Sequence, residues 1–197
     1  MEANEERERG YLDAVAFAVR NVADTFRAQP ESFLFECDVQ ALLFARLFDR
    51  LSGSTITWSP DKKGLPGLLN RTALRLNPVK MEYPGELLFD IAVLGVETYP
   101  ELKAWSQPVR IAVELKLWQA DTKTGYHFDK DKKKLETYAA KAQAEGRRFT
   151  GLCIAFCHHR SDWRVEQWGA SADGREDEAT MELPLHGVRS LVISAPA

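Results

Sequence analysis

Two apolar runs in this chain each carry charge where a buried strand tolerates it badly. Leu87 to Leu94 reads LLFDIAVL, and Val109 to Trp118 reads VRIAVELKLW. Their β-branched and aromatic content predicts strands. Asp90 nevertheless stands between Phe89 and Ile91, and Glu114 and Lys116 follow Ile111-Ala112-Val113. An ionised carboxylate taken into a low-dielectric interior is costly unless it is paired or binds a metal. Glu114 and Lys116 are two residues apart, so on a strand they share one face. If the two strands are neighbours, Asp90 meets Glu114 at one end of the sheet with a lysine beside the pair. Two converging carboxylates with open positions make a Mg²⁺ site of the kind used on phosphodiesters.

The rest of the composition bounds this reading without deciding it. The chain has 197 residues, close to one domain at ~150 residues per domain. At 45% hydrophobic and 10% aromatic it can bury a core, which excludes wholesale disorder. Twenty-six Lys and Arg against 29 Asp and Glu give a net charge of -3, unlike a histone-like binder that relies on excess positive charge. The charge is sorted, however. Residues 1–10 hold four Glu against two Arg, and residues 173–182 hold five acids against Arg175. Residues 61–80 hold five Lys or Arg against Asp61, and residues 110–148 hold ten against six acids. Solvated loops and a charged helix are the ordinary reading of such runs. No run approaches a membrane span and MEANEERERG has no apolar signal core, so a cytoplasmic protein without membrane association is expected. Three cysteines do not build a disulfide framework. Cys153-x3-Cys157-His158-His159 suggests zinc, but both cysteines lie in the apolar run Gly151 to Cys157, where cysteine behaves as a small hydrophobe.

Apolar spacing predicts a helix from residue 11 to about 28, ahead of Pro30, and a second from about Ser32 to Leu51, ahead of Ser52-Gly53. Short strands are expected at Ser54–Trp58 and Thr72–Leu76, then the two charged strands with an elaborated connection between them. Phe128 to Glu145 is a lysine-rich helix ending at Gly146, and Phe149 to His158 a buried strand. Trp163–Trp168 and Val188–Ser194 are expected to be final strands, with the acidic loop between them. The order describes a mixed α/β domain.

The triplet acid-x-Lys is cheap: about 1.6 matches are expected by chance, and five occur, at Asp61, Glu101, Glu114, Asp121 and Asp131. Only Glu114-Leu115-Lys116 lies in an apolar strand downstream of a strand with an embedded acid. This arrangement resembles the PD-(D/E)XK nuclease superfamily, with Asp90 as the lone acid and Glu114-Leu115-Lys116 as its E-x-K. Glu36-Cys-Asp38-Val-Gln40 on the second helix looks like the acidic helix motif of many members, and Glu36 and Gln40 share a helix face. The likeness covers about residues 32–160. Phe89 stands where the motif's name has proline, and 23 residues separate Asp90 from Glu114.

The resemblance implies a restriction-endonuclease-like mixed β-sheet flanked by helices, with an α-β-β-β-α-β core. One domain of residues 1–197 would then have its core at about 32–160. An N-terminal helical extension would occupy 1–31, and C-terminal strands with the acidic loop 161–197. It implies Mg²⁺ or Mn²⁺ held by Asp90, Glu114 and the Leu115 backbone carbonyl, with Lys116 orienting or helping to deprotonate the attacking water and balancing phosphate charge. Glu36, also at the metal, would hold a metal-bound water or a second ion, supported by Gln40, while Asp38 would face away and solvate the helix. Lys62, Lys63, Lys132 and Lys134 would grip phosphates. The expected activity is metal-dependent hydrolysis of nucleic acid, as a DNA endonuclease in defence, restriction or repair. The substrate would be double-stranded DNA, and a homodimer or partner subunit would supply the second cut. The alternative is a catalytically silent nuclease-like domain acting as a nucleic-acid-binding or assembly module. The four histidines show no dyad spacing, and the five tryptophans read as core anchors.

Overall fold

A computed structural model describes residues 2–58, 74–84, 88–95, 107–118, 123–158 and 183–195. Three helices and seven strands follow in chain order: α1 (Glu2–Ala28), α2 (Glu36–Arg50), β1 (Ile56–Trp58), β2 (Leu74–Leu76), β3 (Val79–Pro84), β4 (Leu88–Leu94), β5 (Val109–Trp118), α3 (Lys123–Ala144), β6 (Thr150–Cys157) and β7 (Gly187–Ser194). β1 and β2 form a small antiparallel ribbon. The other five make an open sheet in the order β3-β4-β5-β6-β7. Its first three strands are antiparallel, and β5-β6 and β6-β7 are parallel. The class is mixed α/β, as the alternation of helical and strand periods predicts.

Helices cover both faces of the sheet. Val15, Val19, Val22 and Phe26 of α1 and Val39, Leu43 and Leu47 of α2 pack with Ile91, Ile111, Val113, Ile154 and Ile193 on one side. Phe128, Leu135 and Tyr138 of α3 pack with Phe89, Ala112, Cys153 and Phe149 on the other. β5 and β6, which lie inside the sheet, are buried along almost their whole length, which is why they read as continuous apolar runs. Gly151 permits the close seat of α3 on β6, since a Cβ there would lie 3.0 Å from Leu135 Cβ. Gly146, at φ 68, ends α3 in the left-handed conformation that glycine adopts freely.

Four expectations change. The first helix begins at Glu2, not residue 11, because its charged first turns dock: Glu8 Oε2 lies 3.1 Å from the buried Arg110 Nε. With Val15, Val19 and Phe26 fully buried in the main core, α1 is an integral layer of the fold. The second helix begins at Glu36 after a 3-10 turn, Pro30–Ser32. Asp38 does not simply face solvent; its Oδ2 accepts the N–H groups of Leu34 and Phe35 and caps that start. Strand β3 had no counterpart in the sequence reading. The expected strand at Trp163–Trp168, the acidic loop and the middle of the 95–108 connection lie outside the described residues.

Candidate active site

The ladder between β4 and β5 runs through Ile91↔Val113. One step further the register brings Asp90 opposite Glu114. There the side chain takes over from the backbone, and Asp90 Oδ2 accepts the N–H of Leu115 at 2.7 Å. The alternation of β3 and β4 also breaks here. Val79 and Ile91 pack towards α1 and α2, whereas Tyr83 and Phe89 pack towards α3. Residues two or four apart on a regular strand share a face, so the chain rotates between them. Glu82, at φ 49, sits at that rotation on β3. Gln40 of α2 ties the three elements together, donating from Nε2 to the Asp90 carbonyl at 3.0 Å and to Glu82 Oε1 at 2.7 Å.

Two lysines meet the carboxylates. Lys116 Nζ lies 2.7 Å from the Leu115 carbonyl, 3.1 Å from Glu36 Oε1 and 3.0 Å from Asp131 Oδ2. Those three acceptors match the three hydrogens of an ammonium. Lys134 Nζ lies 2.7 Å from Glu114 Oε1, 2.8 Å from the Leu88 carbonyl and 3.8 Å from Asp131 Oδ1. The Lys134–Glu114 contact sets an ammonium directly on the buried Glu114 Oε1. The result is a chain of alternating charge, Glu36–Lys116–Asp131–Lys134–Glu114, with Asp90 beside its inner end.

The charges do not balance. With every group ionised, the four carboxylates of Glu36, Asp90, Glu114 and Asp131 face the two ammonium groups of Lys116 and Lys134, a formal excess of two negative charges. The titration behaviour follows. Glu114, 2% exposed, is pushed up to about 8 by burial and then by the Asp90 charge, with Lys134 only partly opposing. Burial also raises Asp90, against the Leu115 N–H and Lys116, which lower it. Lys116 moves the other way from its own burial: Glu36, Asp131 and Asp90 together hold it above the ordinary lysine value. The site is short of positive charge by about the charge of one divalent cation.

A hard divalent ion suits that donor set: the carboxylates of Asp90 and Glu114 and the backbone carbonyl of Leu115. Among the described residues, no three His, Cys, Asp or Glu side chains gather into a ready-made metal site. An ion here would therefore take water for its remaining positions, as Mg²⁺ commonly does.

The structure thus brings Glu36, Gln40, Asp90, Glu114, Leu115 and Lys116 together. Lys134, read as a phosphate contact, has its ammonium inside the cluster against Glu114. Lys132 is half-buried on the same helix, and Lys62 and Lys63 lie outside the described residues. Asp131 and Glu82 were not anticipated. Asp131 was visible as one of the discounted acid-x-Lys matches, and it stands one helical turn before Lys134; Glu82 left no sequence signal. The other candidate groups lie elsewhere. Cys153 and Cys157 are buried strand residues of β6 with thiols raised by burial, and His158 Nε2 lies 2.8 Å from the Phe33 carbonyl at a strand end. No protein-family model, curated protein or solved structure matches the chain.

Proposed function

We propose that the protein is a metal-dependent nuclease that hydrolyses phosphodiesters of nucleic acid, built on a restriction-endonuclease-like version of the α/β fold. The observation that carries this reading is the register-matched pair on adjacent strands, Asp90 half-buried and Glu114 buried, in a cluster whose four carboxyls face two ammonium groups. The element order α2-β3-β4-β5-α3-β6, with the lone acid on the second strand of the sheet and Glu114-Leu115-Lys116 on the third, supports it. Asp90, Glu114 and the Leu115 carbonyl would hold Mg²⁺ or Mn²⁺, which when bound supplies Lewis-acid polarisation of the scissile phosphate. Lys116, held as an ammonium by Glu36 and Asp131, is suited to stabilise charge developing on the phosphate rather than to abstract a proton. Gln40 fixes the Asp90 backbone so that its carboxylate stays on the Leu115 N–H. DNA is the expected substrate, cut internally in restriction, repair or defence in the cytoplasm, with a second copy or partner subunit for duplex cleavage. Among the described residues no helix is long and apolar enough to cross a membrane.

One observation favours a second reading, a silent nuclease-like module for nucleic-acid binding or assembly. The two ammonium groups rest on Glu114 Oε1 and on the Leu115 carbonyl, the atoms an ion would need. Incubation with plasmid DNA and with single-stranded DNA, each with Mg²⁺ or Mn²⁺, separates the two. Cleavage of either by the wild type, reduced at least a hundredfold in Glu114→Ala and Lys116→Ala, is the expected outcome. No cleavage, or equal cleavage by the variants, leaves the module reading.

A further inference from the structure

Immediately before Glu36, the chain exposes an aromatic ring at the edge of the charged cluster. Phe35 is 66% exposed. Phe26, Phe33, Phe44, Phe48, Phe89 and Phe149 all pair with other rings. Among the described residues the Phe35 ring meets neither another ring nor a cation. Its backbone is nonetheless fixed, because Asp38 accepts both the Leu34 and the Phe35 N–H at 2.9 and 2.8 Å. Across the cluster, Leu88 is 55% exposed while its carbonyl holds Lys134. α3 adds the exposed Lys130, one turn before Lys134, and the exposed Lys133 beside Lys134, cations suited to phosphates.

Resting on the nuclease reading, we propose that Phe35 is a base-stacking platform and that the site prefers unpaired stretches of nucleic acid to continuous duplex, with one base on the Phe35 ring and its phosphate towards the cluster. A base inside a duplex has both faces stacked on neighbours and offers none to a fixed ring, whereas an unpaired nucleotide does. The pinned backbone holds the ring ready, so little order is lost on binding. Fluorescence anisotropy of the full chain, with Ca²⁺ in place of Mg²⁺, tests this on a short labelled single strand and on the matching blunt duplex. The single strand is expected to bind more tightly than the duplex. Phe35→Ala should weaken single-strand binding about tenfold, Phe35→Trp should retain it, and Phe17→Ala, which removes another exposed ring from α1, should leave it unchanged. Tighter duplex binding, no single-strand binding, or an unaffected Phe35→Ala overturns the proposal. Plasmid and oligonucleotide cleavage assays keep the two readings apart. A protein that binds single strands through Phe35 yet cuts nothing with Mg²⁺ or Mn²⁺ removes the nuclease reading alone, and a protein that cuts while Phe35→Ala binds normally removes the stacking platform alone.

Discussion

Strand β5 buries charge at both of its ends, and the two ends are built differently. Near its start, Arg110 is 2% exposed and makes an ion pair with Glu8 at 3.1 Å, donates to Thr150 Oγ1 at 3.2 Å and donates to the Leu185 carbonyl at 3.0 Å. Arg148 adds contacts to Glu5 and Glu8 at 3.7 and 3.6 Å. Arg9 adds a third guanidinium at 3.6 Å from Glu5, so three arginines meet two glutamates and neither acid lacks a cation. Towards its far end, Glu114 and Lys116 sit in a cluster that has two uncancelled negative charges when every carboxyl is ionised, and Glu114 answers by holding its proton up to about pH 8. A buried ion pair that closes on itself ties layers together; here it joins α1 to the sheet. A buried cluster left open in charge has room for an added cation. The same strand therefore shows both uses of buried charge, and the balance distinguishes them.

Truncation should expose that difference first. Arg110→Met leaves Glu8 without its partner and should cost about 3 kcal/mol in urea-induced unfolding. Glu114→Gln replaces a carboxyl that already holds its proton below about pH 8, and should cost less than about 1 kcal/mol, or stabilise the metal-free protein. Equal losses at the two ends would erase the distinction.

The next effect concerns the cation itself. Mg²⁺ or Mn²⁺ at about a hundred times its Kd should stabilise the wild type by about 2.7 kcal/mol. Thermal unfolding would register this as a rise in Tm of roughly 5–10 °C. Arg110→Met should show the same rise from a lower starting point, and Glu114→Gln should show none. A rise that survives in Glu114→Gln would move the cation away from this cluster.

The legible and illegible parts of the molecule divide along similar physical lines. β5 follows the expected bounds, Val109–Trp118, and β4, Leu88–Leu94, falls within the expected run, because strands inside a sheet must be apolar throughout and their charges stand out. The spacing of Glu36 and Gln40 was readable because one helical turn separates them. β3 was not readable. It lies at the sheet edge, exposes Met81, and turns through Glu82 at φ 49, so it lacks sustained alternation. The early start of α1 depends on Arg110, 102 residues beyond Glu8, and no local pattern encodes that contact. Asp131 was likewise visible as an acid on a lysine-rich helix, but its meeting with Lys116 exists only once α3 lies across β5.

The smallest effect tests the charge deficit most directly. Glu114 has an ordinary carboxyl value of 4.5 and is pushed up to about 8 in the folded chain by burial and by Asp90. Below about pH 4.5 both states hold the proton. Between about 4.5 and 8 the folded state keeps it and the unfolded state has lost it, so the folded state binds more protons and stability falls as pH rises. Asp90, also raised, adds in the same direction. A salt-bridged carboxylate with a lowered value behaves in the opposite way. The slope cannot exceed about 1.4 kcal/mol per pH unit for one proton. Denaturant unfolding of metal-free protein at several pH values across this window should show the decline, and Glu114→Gln should flatten it. Saturating Mg²⁺ should flatten it too, with proton release on binding measurable by calorimetry in buffers of different ionisation enthalpy, because a cation removes the deficit that holds the proton in place. A wild-type slope identical to that of Glu114→Gln would mean that Glu114 ionises normally beside Asp90, leaving no unmet charge for a cation to fill.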